Sequence, residues 1–75
     1  MGALDGLAEA LRELRRSRKL SQAELSERSG LSASVINRTE KGHQEPSMPT
    51  LAAWLDAMGA SLGDLAAELD AVNGR

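Results

Sequence analysis

The side chains best suited to specific chemistry in this 75-residue chain lie between positions 22 and 41. A helix advances about 100° per residue. On that projection Ser34, Asn37, Arg38 and Lys41 share one arc, with Ala33 at the exposed N-terminal end. Val35, Ile36, Thr39 and Glu40 share the opposite side. The first arc carries hydroxyl, amide and cationic groups and no carboxylate. Such groups donate hydrogen bonds to base edges and phosphates in the major groove of a duplex. A solvated polar face on an ordinary helical bundle has the same polarity, so the face alone does not separate the two readings. Catalysis is the poorer reading. His43 is the only histidine, cysteine is absent, and no carboxylate cluster stands near His43 at ligand spacing. No nucleophile–base pair and no glycine-rich phosphate loop occurs. The expectation is a binding protein with no enzymatic activity, no cofactor and no metal, His43 being an exposed loop residue.

The elements that must hold that arc outward are written into residues 21–41. Ser21 is placed to cap a helix, with Glu24 three residues on to complete a capping box. Leu20 and Leu25 stand at the spacing of a hydrophobic staple, and Leu31 and Ile36 repeat it around a second cap, Ser32. Gly30 falls where the first helix must end in a left-handed residue, a conformation glycine adopts without steric cost. Two short helices joined by a glycine turn form a helix-turn-helix unit. That geometry, joined to an acid-free outer face, moves the reading towards duplex DNA.

The chain here resembles a known family, the phage repressor/Cro-like helix-turn-helix regulators, also called the XRE family. The resemblance rests on Leu20-Ser21-Gln22-x-x-Leu25-Ser26, Gly30-Leu31-Ser32, Val35-Ile36-x-Arg38, Glu40-x-Gly42, Pro46-Ser47 and Leu51, and covers roughly residues 7–69. Ser29 and Thr39 stand where the family places larger apolar residues, and Ser26 replaces its alanine; these departures imply a less apolar helix pair in the same fold. Carried over position by position, the resemblance implies a DNA-binding set of Gln22, Ser32, Ala33, Ser34, Asn37, Arg38 and Lys41. Arg38 suits guanine, Asn37 suits adenine or a phosphate, and Ala33 suits a thymine methyl. Gln22 is expected to reach phosphate and to buttress the start of the third helix, and Lys41 to contact the DNA backbone. The loop His43-Gln44-Glu45 is poorer in cations than in many relatives. The resemblance also implies a structural salt bridge between Arg15 and Glu40 that sets the angle of the third helix.

Composition agrees with an all-α reading. The chain is 41% hydrophobic, mostly Leu and Ala, with Trp54 its only aromatic residue, and this favours helix over sheet. No apolar run approaches the ~20 residues of a membrane span, and no basic start followed by an apolar core marks a signal peptide. The cytoplasm is the expected compartment. The net charge of −2 hides a polarity: eight cations face six carboxylates in residues 1–41, whereas one cation faces five carboxylates in residues 42–75. Such a distribution orients the chain on a polyanion and predicts modest non-specific affinity.

Taken in order, residues 1–6 are expected to fray, and residues 7–72 to form one compact five-helix domain of lambda-repressor-like fold. Residues 73–75 are expected to be a disordered tail. Leu4, Leu7, Leu11 and Leu14 mark an amphipathic first helix to about Ser17. Arg12, Arg16 and Lys19 lie off that stripe, on what reads as a solvated face. The second helix is expected over 22–29 and the third over 33–41. Ser47 is placed to cap a fourth, with Met48, Leu51, Trp54, Leu55 and Met58 on one face and a stop at Gly59. Ser61 and Asp64 cap a fifth, with Leu62, Leu65, Ala66, Leu69 and Val72 on one side. Trp54 reads as core.

The function expected is a sequence-specific transcriptional regulator of double-stranded DNA, a repressor, reading an inverted repeat as a homodimer through its C-terminal helices. The alternative is the antitoxin of a toxin–antitoxin pair, its acidic C-terminal half holding a protein toxin while the motif represses the operon. A helical bundle that has lost DNA binding is the third reading.

Overall fold

The structure, a computed structural model, describes residues 6–74. Five helices follow one another: α1 Leu7–Ser17, α2 Gln22–Ser29, α3 Ala33–Glu40, α4 Met48–Met58 and α5 Leu62–Asn73. There is no strand among the described residues.

The four later helices start on serine caps. Ser21 Oγ accepts the Glu24 N–H while the Glu24 carboxylate accepts the Ser21 N–H, each at 3.0 Å. Ser61 and Asp64 form the same reciprocal box, and Ser32 and Ser47 accept the Val35 and Thr50 N–H groups. Each cap satisfies a donor that the first turn of a helix cannot pair internally. In both boxes the N–H of the serine holds the acid below its ordinary pKa, the serine hydroxyl adds to this, and desolvation opposes it.

The helix ends are equally local. Gly30 at φ 78° closes α2 through its N–H to the Ser26 carbonyl, the one-bond left-handed stop. After α3, Gly42 at φ 78° lets its own N–H reach the Thr39 carbonyl and the His43 N–H reach that of Arg38. That pair of bonds is a Schellman stop. The turn after α1 uses the same two bonds, Lys19 N–H to Arg16 and Leu20 N–H to Arg15. Its left-handed position is held by a lysine, at φ 58°.

Between these ends, one apolar core joins the helices. α1 packs on α5 and α3, and α2 packs on α3 and α4. Leu11, Leu25, Ile36 and Trp54 are fully enclosed, with Ala10, Leu14, Leu20, Leu55, Met58 and Leu65 around them. Each large side chain removed from water in this way stabilises the fold by roughly 1.5–3 kcal/mol. Leu7, Leu51, Leu69 and Val72 close the margins.

Three boundaries differ from expectation. Lys41 is the C-cap of α3, one residue beyond the helix. Asn73 is the last residue of α5, and the Gly74 N–H bonds the Asp70 carbonyl at 2.9 Å, so the helix continues into the expected tail. At the other end, Gly6 is the N-cap of α1 and its carbonyl accepts the Ala10 N–H. The expected fraying of residues 1–5 and the position of Arg75 lie outside the described residues.

Candidate nucleic-acid interface

The turn between α2 and α3 is stitched by the serines that depart from the family pattern. Ser26 Oγ donates to the Leu31 carbonyl and the Leu31 N–H donates to Ser29 Oγ. Polar side chains at these positions satisfy backbone groups that the sharp turn would otherwise leave unpaired. Ser29 thus offers less apolar surface than the family's larger residue, and together with Ser26, in place of the family's alanine, it fixes the exit from α2.

α3 then presents two unlike faces. Ile36, Thr39 and Glu40 are buried, Val35 is half-buried, and Ala33, Ser34, Arg38 and Lys41 are exposed. Ser32, also exposed, caps the helix through Val35. Asn37 sits between the faces, half-buried. The exposed arc contains no carboxylate. Free N–H groups at the N-terminus of a helix add a further preference for phosphate there.

Behind this face lies a polar network that fixes the helix. Arg15 reaches from α1 and binds Glu40 in a fork, Nε to Oε2 at 2.7 Å and Nη2 to Oε1 at 2.9 Å. Its remaining nitrogen, Nη1, donates to the Leu20 carbonyl at 2.7 Å, tying the α1–α2 turn to the same guanidinium. Glu40 is 2% exposed and Arg15 8%, so the pair is held out of water and its geometry is bidentate, the arrangement that makes such pairs strong. Gln22 completes the set: Nε2 donates to Glu40 Oε1 at 3.0 Å, and Oε1 accepts from Asn37 Nδ2 at 3.4 Å. Arg12 donates through Nη1 to the main-chain carbonyl of Glu40 at 3.3 Å, covering the C-terminal end of α3.

The expected site residues therefore fall into two groups. Ser32, Ala33, Ser34, Arg38 and Lys41 stand on the open side of the motif. Gln22, Asn37, Arg15 and Glu40 form the half-buried network beneath it. Two expectations need correction. Gln22 buttresses α3 at Asn37 and Glu40, not at its start, because a side chain from the first turn of α2 meets α3 beyond its midpoint. Arg12 is engaged with α3 and not merely solvated. A signal for it was present: Arg12 lies three residues before Arg15, one helical turn away on the same side of α1.

Among the described residues, no group of three or more histidines, cysteines or carboxylates is placed to hold a metal ion, and His43 lies exposed in the turn after α3. No helix is long and apolar enough to cross a membrane.

A glycine-turned pair of capped helices, with the second exposing an acid-free face, defines a helix-turn-helix domain. The family model described as Helix-turn-helix matches residues 11–65, which include both helices and the network behind them. The chain belongs to this family, in its XRE or Cro-like form, whose members are DNA-binding transcriptional regulators and not typically enzymes. Comparison with curated proteins and with solved structures gave no match.

Proposed function

We propose that this chain is a sequence-specific repressor that inserts α3 into the major groove of double-stranded DNA. One observation carries the reading: Ala33, Ser34, Arg38 and Lys41 are exposed together with no carboxylate among them, while Arg15 and Gln22 hold the same helix from behind. In this reading Ser34, Arg38, Asn37 and Ala33 meet base edges. Ser32, Gln22 and Lys41 meet the backbone. Selection from random duplexes tests it. An enriched motif is expected, and Arg38→Ala should weaken binding to it by about tenfold or more, the worth of a bidentate base contact. No motif, or indifference to Arg38→Ala, overturns the reading.

One helix reads only a few base pairs, so the proposal includes a homodimer on an inverted repeat with half-sites about 34 Å apart. α5 with part of α4 is the proposed dimer surface, leaving α3 free. Support comes from Met48 and Leu62, 68% and 61% exposed, which project at the starts of these two helices. A monomer in sedimentation at micromolar concentration, with and without operator, overturns this part. The proposed setting is the cytoplasm, and the role is binding without catalysis or cofactor.

A second reading is favoured by the charge of the same region. α4 and α5 carry Asp56, Asp64, Glu68 and Asp70 and neither lysine nor arginine. An antitoxin would use such an acidic surface, with Met48 and Leu62, to hold a protein toxin while α3 binds the operon. Co-purification of a native partner at fixed stoichiometry, lost in Leu62→Gln, supports it; a partner-free chain from its native cell does not.

A further inference from the structure

The side-chain amide of Asn37 has two orientations, related by a half-turn, and they read different bases. With Oδ1 outward and one N–H free, it matches adenine, whose N6 amino group donates and whose N7 accepts. With its NH2 outward it offers donors alone and matches the O6 and N7 acceptors of guanine. We propose that the buried Arg15–Glu40 pair selects the first orientation through Gln22, which makes Glu40 and Gln22 positioning residues for base choice at Asn37. The inference rests on the reading that α3 enters the major groove.

Matching donors to acceptors, one residue at a time, fixes the orientation. An ionised carboxylate accepts hydrogen bonds and donates none. Glu40 takes two from the Arg15 fork and a third from Gln22, at Oε1. A glutamine facing a carboxylate must turn its NH2 towards it. Its Oε1 then points the other way, where Asn37 Nδ2 stands 3.4 Å off. An acceptor in that place demands a donor, so Asn37 turns its NH2 inward and leaves Oδ1 and its second N–H for a base. The opposite orientation sets oxygen against oxygen in a half-buried position, where an unpaired acceptor is costly. Amide orientation is thus dictated by partners, and the polarity passes from α1 to the reading face across all three helices. The last bond is long, at the outer limit of hydrogen-bonding distance. The Asn37 side chain can therefore advance towards a base without giving up a strong contact.

Two measurements on the whole chain test this. The first uses no DNA: thermal unfolding of wild type, Asn37→Asp, Gln22→Met and the double variant. Gln22→Met keeps volume and leaves Glu40 its Arg15 fork. Asn37→Asp puts an acceptor against Gln22 Oε1. Its loss in Tm should be larger by about 4 °C with Gln22 present than with methionine there; equal losses overturn the proposal. The second is selection from random duplexes. Gln22→Met should lower the preference for adenine at one position by about tenfold, with the other positions unchanged. Loss of the Gln22 phosphate contact lowers affinity for every sequence alike, so the readout is the base preference: an unchanged motif, whatever the overall affinity, overturns the proposal. If wild type selects no motif while the unfolding cycle keeps its coupling, the groove reading fails and takes the base assignment with it. The amide polarity would still stand.

Discussion

Replacing Arg15 by methionine removes the guanidinium and keeps most of the side-chain volume. Glu40, 2% exposed, would then retain only the Gln22 amide, and the Leu20 carbonyl would lose its Arg15 donor. Breaking a buried pair from one side costs about 3–5 kcal/mol, because the surviving charge stays desolvated. Domains of this length hold roughly 4–11 kcal/mol in total, so the single change removes a large share of the stability. Replacing both members by apolar residues, Arg15→Met with Glu40→Leu, leaves no buried charge and should recover most of that loss. Urea unfolding followed by helical circular dichroism gives the two numbers. A single variant within about 1 kcal/mol of wild type refutes the claim that Glu40 depends on Arg15. The double variant separates stability from function: if the pair sets the angle of α3, the restored fold should still bind its selected duplex more weakly. Full affinity in the stable double variant, or in Arg15→Met itself, removes that role.

Other changes follow from particular residues. Thr39 is 1% exposed and its hydroxyl has no hydrogen-bond partner among the described residues; Thr39→Val should stabilise by about 1 kcal/mol, read in the same urea assay. Lys19 stands at φ 58° in the turn after α1. Lys19→Gly should therefore raise stability by about 0.5–1 kcal/mol, and a loss would show the left-handed strain to be absent. Glu24 and Asp64 have lowered pKa values, chiefly from the Ser21 and Ser61 N–H groups, with Arg28 and Arg18 respectively assisting. A depressed carboxylate pKa contributes stability above the unfolded value, near 4, and that contribution fades as pH falls through the folded value. The Tm of wild type should fall more steeply below about pH 4.5 than that of Glu24→Gln with Asp64→Asn, whose amide oxygens can still accept the serine N–H groups but do not titrate. Identical slopes would mean that those N–H groups do not hold the two carboxylates in solution.

Much of the fold was legible because its signals are local. Ser21 with Glu24, and Ser61 with Asp64, satisfy donors within three residues of themselves, so capping chemistry marks those starts without reference to the rest of the chain. Gly30 and Gly42 likewise mark ends through their own φ. The inward face of α3 follows from helical periodicity, since Ile36, Thr39 and Glu40 recur at spacings of three and one. Family resemblance supplied the expectation that Arg15 faces Glu40. Propensity was less informative at α5, where Asn73 continues a helix that the sequence reads as ending at 72. A terminal turn gains or loses a residue at little cost.

By itself, then, the sequence determined five helices, their caps and the side of α3 that turns away from the core, all consequences of bonds and periodicities spanning a few residues. Tertiary structure decided who meets whom across helices. It brought Gln22 to Asn37 and Glu40, set Arg12 on the Glu40 carbonyl, and left the Thr39 hydroxyl without a partner among the described residues. Those meetings depend on the distances and angles between whole helices, which the packing of Leu11, Leu25, Ile36 and Trp54 establishes together. No short stretch of sequence encodes such angles.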